Sequence, residues 1–488
     1  MSAAGALFAQ AAARQDWTAA AAALSQLCAL AKKQAQREAL QKELRRDALH
    51  AALACPEPKA RKNAARLLSA VGDAGDAPAL AAALGREGTR YVMPSLLLAL
   101  GAVGGDAAAA ALRAYVPPEP AGPEEQKHCE QIAAAHRLAL DRCCAETPAP
   151  LHSLRAPREA LLRPPAGLAE ALLDELAALR IPAAAAEGGV RVRASSLDAL
   201  YRARCFFEIL LPCGRAPLAP EAVARAARSG WESLCGGAPD APDAPALPYR
   251  VELQRYEGDR AGFIRALARA VGGRNQPGHY AFELRVVCRG AQADVFVVPA
   301  AVPDARFAYR TAAVPAAIHP VTAAALMRLA AMRLAGRARL RVYDPCCCGG
   351  TLLVEAARAM DCAALLGTDV SPAAVAIARQ SLRAAGLRGA VLRRDCLRFD
   401  PGAPLDLVAA NLPFGNRVGS HAANAPLYRG LAARLGALLR PGGLALLYTA
   451  EGRLLANILR GAPGLAVEAV YATEAGGLAP RAFFIRRA

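Results

Sequence analysis

Two short runs about 65 residues apart carry the residue types best suited to chemistry. The first, Asp344-Pro345-Cys346-Cys347-Cys348-Gly349-Gly350-Thr351, follows the apolar run Leu340-Arg341-Val342-Tyr343. The second, Asn411-Leu412-Pro413-Phe414-Gly415, follows Leu405-Asp406-Leu407-Val408-Ala409-Ala410. A strand running into a Gly-rich turn and then a helix lets the backbone approach a nucleotide-like cofactor closely. An Asn-x-Pro-aromatic at a strand end presents an amide oxygen, a backbone carbonyl and an aromatic face to a planar amino group. Such an amine on a base is a poor nucleophile, because its lone pair is delocalised into the ring. Hydrogen bonds from its N–H to the Asn411 side-chain oxygen and the Leu412 carbonyl favour pyramidalisation. Pro413 sits in the turn, and Phe414 can stack on a base that has left its helix or loop. The bland alternative is a Pro-containing strand-to-loop turn.

These runs must be positioned by the elements around them. Leu340–Tyr343, Ala364–Thr368, Ala390–Leu392, Leu405–Ala410, Leu444–Tyr448 and Phe483–Ile485 are candidate strands, alternating with helices. Acidic residues follow the first three: Asp344, then Asp369 in Gly367-Thr368-Asp369, then Asp395 in Arg394-Asp395-Cys396. Each alone reads equally well as a turn or N-cap residue; three in order do not. Together the motifs resemble an S-adenosylmethionine-dependent methyltransferase that alkylates an exocyclic amine on a nucleobase. On that resemblance the cofactor residues are Asp344, Cys346, Gly349, Gly350, Thr351, Asp369, Asp395 and Cys396. Asp344 would accept from the ammonium and Asp369 from the ribose hydroxyls. Asp395 would accept from the adenine amino group, and the Cys396 N–H would donate to the ring. The N–H groups of Gly349, Gly350 and the helix start favour a polar or anionic group.

A second resemblance covers roughly residues 160–488. A helix with Gly-Leu-x-x-x-Leu-x-x-Glu-Leu (Gly167 to Leu176), a Gly189-Val190-Arg191 strand and Leu197 to Arg204 are similar to the front of THUMP-domain RNA methyltransferases. So are Ala305-Arg306-Phe307-Ala308-Tyr309-Arg310 and Ala316-Ala317-Ile318-His319-Pro320. In that family this module grips the acceptor end of tRNA or a comparable RNA end. The family pattern Asp-Pro-x-Cys-Gly-Ser-Gly-Thr is broken here by Cys348 in place of the first Gly. If that position needs positive φ, Cys adds roughly 1 kcal/mol or more of strain. Asn411-Leu412-Pro413-Phe414 resembles the Asp-Leu-Pro-Phe-Gly form of THUMP-type guanosine methyltransferases. Arg417 is the candidate substrate contact, to phosphate or base. His421 reads as local structure, since methyl transfer needs alignment more than a strong base.

The 488 residues suffice for about three domains. No run has the length and apolarity of a membrane span, and no start resembles a secretion signal; the expectation is a soluble, cytoplasmic protein. The 14 Cys are scattered and read as reduced thiols. Net charge is +17, and residues 311–488, with 21 Arg against 10 acidic residues, hold +11 of it. A basic enzyme domain suits a polyanionic substrate, although an Arg-rich, Lys-poor composition also follows from genome bias.

Residues 1 to about 115 read as helices. Ala70-Val71-Gly72-Asp73 and Ala102-Val103-Gly104-Gly105, 32 residues apart, each close a helix and suggest a weak repeat resembling HEAT hairpins. This region could bind protein or RNA; Lys32, Lys33, Arg37, Lys42, Arg45 and Arg46 form a basic stretch or a solvated face. Cys129, His136 and Cys143 share one helical stripe, but the close ligand pairs of zinc sites are missing, so no metal is expected. From residue 150, helices are expected at 167–176, 197–203 and 259–271. Strands are expected at 189–194, 206–211, 249–254, 280–288 and 293–298, with a Pro/Ala/Asp linker at 236–246.

The fold expected is multidomain: an α-helical, HEAT-like region (1–150), an α+β ferredoxin-like plus THUMP-like RNA-binding module (151–310) and a C-terminal α/β Rossmann-like methyltransferase (311–488). The expected activity is S-adenosylmethionine-dependent methylation forming N2-methylguanosine in tRNA. The alternatives are adenine-N6 methylation of RNA or DNA, and a non-catalytic RNA-binding adaptor whose cofactor loop has decayed at Cys348.

Overall fold

The computed structural model describes all residues except 1, 33, 144–146, 236–246, 313, 315–316 and 416–420, and all their side chains except those of 34, 35, 38, 42, 421 and 423. Contacts divide the chain into two compact units. The first comprises Met1–Pro148 with Pro248–Arg250 and Arg274–Tyr280, and the second the remainder.

The first unit is helical: α1 (Ala3–Ala13), α2 (Trp17–Leu30), α3 (Gln34–Glu43), α4 (Arg46–Ala54), α5 (Pro58–Val71), α6 (Ala77–Arg86), α7 (Met93–Val103), α8 (Gly105–Ala114) and α9 (Pro123–Cys143). Ala and Leu make these good helix formers, and Ser2 and Asp16 cap α1 and α2 through their side chains. Helices α2, α5, α7 and α9 pack in series, while α4, α6 and α8 form a second row against them. Gly72 and Gly104 close α5 and α7, the latter at φ 68°. Gly101 lets α7 and α9 touch: a Cβ there would lie 2.6 Å from the Ala139 Cα. Buried acids tie the rows together. Asp76 accepts from Arg46 at 3.0 Å and pairs with His50 at 2.8 Å, and Glu87 accepts from Arg61 at 2.8 Å. The basic stretch is therefore partly spent on the fold. Arg46 serves Asp76, Arg45 pairs with Asp47, and Arg37 donates to the Ala31 carbonyl. The Cys129–His136–Cys143 stripe packs inward: His136 Nε2–H donates to the Leu112 carbonyl at 2.7 Å and Cys129 Sγ accepts from Arg90 at 2.8 Å.

Two seven-stranded sheets make up the β-structure, in the second unit except for Tyr249 and Arg250, the first two residues of one edge strand. The first is built from β1 (Ser153–Leu162), α10 (Ala169–Ala178), β2 (Ala183–Ala186), β3 (Gly189–Ser196), α11 (Leu197–Leu200), β4 (Ile209–Pro217), α12 (Pro220–Cys235), β5 (Tyr249–Gln254), α13 (Arg260–Val271), β6 (Phe282–Arg289) and β7 (Gln292–Pro299). Its strand order is β2-β3-β1-β4-β7-β6-β5. The helix expected to reach residue 203 stops at Leu200, and the strand expected from residue 206 starts at Ile209. The reason is Glu175, whose Oε2 takes the N–H groups of Arg204 and Cys205 at 2.8 and 2.9 Å and holds that stretch as buried coil.

The second sheet follows α14 (Pro320–Arg333) and holds β8 (Leu340–Asp344), α15 (Thr351–Ala359), β9 (Cys362–Asp369), α16 (Pro372–Ala384), β10 (Ala390–Arg393), β11 (Leu405–Asn411), α17 (His421–Leu438), β12 (Leu439–Thr449), α18 (Gly452–Arg460), β13 (Leu465–Ala472) and β14 (Arg481–Arg487). The order is β10-β9-β8-β11-β12-β14-β13, parallel except for β14, which lies antiparallel between β12 and β13. The central strands are buried along almost their whole length, as parallel strands covered on both faces must be. Chain direction reverses in strand order between β8 and β11, and in open α/β sheets ligands bind at the carboxyl ends beside that switch.

Candidate active site

Both motifs end strands at that switch. Val342 and Tyr343 of β8 pair with Leu407 and Val408 of β11, and Asp344 pairs with Gly367 of β9. Asp344, Asp369 and Asn411 therefore emerge from the carboxyl ends of three adjacent parallel strands. Arg393, at the end of β10, pairs with Asp369 and leads to Asp395.

The loop after β8 is held from within. The Cys346 N–H donates to Asp344 Oδ1 at 3.1 Å, Cys347 N–H to the Thr368 carbonyl at 2.9 Å, and Cys348 N–H to Asp369 Oδ2 at 3.0 Å. Gly350 N–H donates to the Cys347 carbonyl at 2.7 Å. Four donors of this loop are thus consumed within the protein, which narrows the expectation that its N–H groups receive a ligand. Gly350, at φ 76°, begins α15 and brings no side-chain oxygen to cap it. A Cβ on Gly350 would lie 3.2 Å from the Ala378 Cα, so the loop and α16 need that glycine. Cys348 stands at φ 48°, the left-handed conformation that its place in the motif demands. The strain foreseen for a non-glycine residue, about 1–2 kcal/mol, is present, and the loop is formed nevertheless.

Asp344 is 1% exposed. Burial drives its carboxyl well above the usual range, and the Asp369 carboxylate adds to this, while the Cys346 N–H opposes it. Among the described ion pairs, none involves Asp344. An enclosed acid without a countercharge, beside a second acid, is chemically fitted to a cationic ammonium. Asp369 also accepts from Ser371 N–H at 2.9 Å, and Asp395 caps a short turn through Leu397 N–H at 2.9 Å. The Cys346 thiol, half-buried and hydrogen-bonded to that of Cys396, is held well above the ordinary thiol range by that bond and by desolvation. Burial likewise pushes Cys348 up to about 11. Raised in this way, both favour the protonated form at neutral pH, which is the poor nucleophile. Sequence reading missed Val370, 69% exposed beside Asp369, an apolar surface next to the proposed ribose acceptor.

In the second motif, Leu412 is buried and its N–H donates to the Tyr448 carbonyl at 2.9 Å. Asn411 is half-buried in register with Tyr448, and the Phe414 ring meets the Tyr448 ring edge-on at 5.8 Å. The Pro413 carbonyl accepts from the hydroxyl of Tyr428 on α17 at 2.8 Å. That hydroxyl also bonds Thr449 Oγ1 at 2.6 Å, and Thr449 Oγ1 accepts the Glu451 N–H at 2.9 Å. Asn424 donates to Glu451 as well. The turn is therefore clamped by side chains from α17 and the end of β12. Both contacts span long stretches of sequence, 15 residues for Tyr428 to Pro413 and 27 for Asn424 to Glu451, so no local pattern announces them. Arg417 lies outside the described residues, as does the linker at 236–246.

Comparison with known proteins agrees with this geometry. Residues 308–479 match the UPF0020 family, the RMKL-like methyltransferase domain. The chain is 31% identical over 351 residues to the tRNA (guanine(6)-N2)-methyltransferase of Thermus thermophilus, covering 66% of this chain and 97% of that protein. The crystal structure of TrmN from Thermus thermophilus superposes with a TM-score of 0.52 at 28% identity, over 68% of this chain and 99% of that one. The putative methyltransferase SMU.472, complexed with SAH, superposes at 0.53 over 68% and 98%; at 15% identity it attests the fold alone. No helix among the described residues is long and apolar enough to cross a membrane. Sheet order, paired strand-end motifs and sequence similarity converge: the chain belongs to the S-adenosylmethionine-dependent RNA methyltransferase family that includes the Thermus tRNA (guanine(6)-N2)-methyltransferase.

Proposed function

We propose that this enzyme methylates N2 of a guanosine in structured RNA, a tRNA. The observation that carries the reading is Asn411 at the end of β11, hydrogen-bonded neighbour of the strand that ends in Asp344. S-adenosylmethionine, when bound, supplies an electrophilic methyl group on a sulfonium. The chain's own residues do the rest. Asp344 holds the cofactor's ammonium, Asp369 its ribose and Asp395 with Cys396 its adenine, while Gly349, Gly350 and Thr351 let the backbone come close. Asn411 Oδ1 and the Leu412 carbonyl accept the two N–H groups of the guanine amine. Its lone pair then turns toward the methyl group. Phe414 gives the flipped base an aromatic face, and Tyr428 fixes the turn through the Pro413 carbonyl. Rate enhancement comes from alignment rather than from a strong base. Arg417 is assigned to the substrate.

Division of labour follows the same reading. Residues 151–310 act as a THUMP-like RNA grip, residues 311–488 as the catalytic domain, and the helical stack of residues 1–150 as a HEAT-like surface for RNA or protein. Support comes from the basic charge of 311–488 and from the Thermus relative, whose name specifies tRNA. Mass spectrometry of modified nucleosides in RNA from cells with and without the protein tests the reading. Loss of N2-methylguanosine supports it; loss of N6-methyladenosine instead would assign the chain to adenine chemistry.

A further inference from the structure

The runs Ala305–Arg310 and Ile318-His319-Pro320 hold no residue of the cofactor loop or the Asn411 turn, yet they build an ordered feature beside them. Arg306 is buried with its guanidinium over the rings of Tyr201 and Phe206 at 4.6 and 4.3 Å. It donates to the Ala203 and Phe206 carbonyls at 3.2 and 2.9 Å and pairs with Asp304 at 2.9 Å. This clamp fixes the backbone just before Phe207, and the Phe207 N–H donates to the Arg163 carbonyl at 2.8 Å. The backbone is pinned on both counts, but Phe207 is 38% exposed.

The Phe207 ring meets the exposed imidazole of His319 edge-on, with centroids 4.9 Å apart and planes at 66°. His319 caps α14, its Nδ1 accepting the Val321 N–H at 3.3 Å. An accepting Nδ1 makes Nε2 the protonated nitrogen of the neutral ring, an N–H donor. Although His319 is open to solvent on one side, partial desolvation by its packed neighbours and the charges of Arg310 and Arg306 hold it below the ordinary imidazole value, so the neutral form dominates at physiological pH. The Arg310 charge also acts on the Cys348 thiol, which puts this feature within electrostatic reach of the cofactor loop. Arg204, 4.7 Å from the Phe307 ring, binds Glu355 of α15 through two bonds of 2.8 Å. The Tyr309 hydroxyl donates to Glu355 at 2.6 Å. The aromatic pair is thereby tied to the helix that starts at Gly350.

An exposed aromatic face held rigid beside cations is what an unstacked base requires, because stacking is indifferent to base identity and the cation meets the phosphate. A patch of two rings fits one base and is far too small for a protein interface. We infer that Phe207 and His319 form a ledge for an unpaired nucleotide of the RNA substrate, adjacent to the one methylated, with Arg310 toward its phosphate. The ledge rests on the RNA reading given above.

The full chain, S-adenosylmethionine carrying a labelled methyl group, and unmodified tRNA transcripts supply the test. Phe207→Ala and Phe207→Leu should each lower kcat/KM for RNA by about 10- to 100-fold, the span expected for one lost base stack. Cofactor affinity by calorimetry should stay at the wild-type value, and so should the slope of RNA affinity against salt, since stacking neutralises no phosphate. Phe207→Trp should restore most of the activity. Leu keeps apolar bulk and Trp keeps the π face, so the pair separates stacking from packing. Wild-type kcat/KM in Phe207→Leu, or a Phe207→Trp enzyme as poor as Phe207→Ala, overturns the ledge while leaving the RNA reading intact. A wild-type chain that methylates none of the transcripts overturns the RNA reading and the ledge with it.

Discussion

Replacing Asp344 by Asn removes one charge and almost no volume. Asn keeps the oxygen that accepts the Cys346 N–H at 3.1 Å. In the protein without cofactor, the carboxylate is enclosed, faces Asp369 and has a pKa well above its ordinary value. Its folded-state pKa therefore exceeds its unfolded value of about 3.9. Between the two values the native state holds a proton that the unfolded state has released, so stability falls as pH rises through that window. Asp344→Asn should abolish this slope and raise the melting temperature of the cofactor-free protein at neutral pH. Cofactor binding should move the other way. The ammonium loses its carboxylate partner in a site closed to water, a loss on the order of 2–4 kcal/mol or about 30- to 1000-fold in affinity. Acidification should weaken the wild type as Asp344 takes up its proton, and binding in that range should release one. Calorimetry in buffers of different ionisation enthalpy, with thermal melts across pH, reads all three effects. A variant that binds S-adenosylmethionine like the wild type, or melts lower without it, would refute the assignment of Asp344 to the ammonium.

Asn411→Ala should lower kcat by at least about 100-fold while RNA and cofactor affinities hold, because the amide acts on the reacting amine alone; single-turnover kinetics with separate binding titrations check this. Tyr428→Phe strands the Pro413 carbonyl and leaves Thr449 Oγ1 only its bond from the Glu451 N–H, and should lower kcat about 5- to 30-fold with cofactor affinity intact. Arg204→Ala leaves Glu355, 1% exposed, without its cation and should cost about 3–5 kcal/mol in denaturant unfolding. The double change Arg204→Met with Glu355→Leu should recover most of that, since an apolar pair replaces the buried ions.

The strands that build the site were legible because β8, β9 and β11 are short apolar runs, each ending at an acidic or amide residue. Burial on both faces leaves little room for other compositions. Strands β1, β2 and β13 were not. Ser153–Leu162 contains a proline and several charges, and Ala183–Ala186 has no alternation at all. Leu465–Ala472 is mostly exposed and paired only with β14, so no apolar pattern marks it. The end of α11 was misjudged because Glu175, 29 residues away from Arg204, supplies the hydrogen bonds that a longer helix would have made. The same limit hid the Tyr428 clamp on Pro413: a contact over 15 residues leaves no local signature. Cys348 is the instructive case in the other direction. Its departure from glycine was visible in the sequence, and the left-handed φ that the motif left as a condition is the one it adopts.

The central claim is methyl transfer to a guanine amine directed by Asn411. The most direct measurement combines purified full chain, isotopically labelled S-adenosylmethionine and unmodified tRNA transcripts, followed by digestion to nucleosides and mass spectrometry, with Asn411→Ala in parallel. The account predicts label in N2-methylguanosine from the wild type and its near-absence from the variant. Label in N6-methyladenosine, or equal N2-methylguanosine from both proteins, would contradict it.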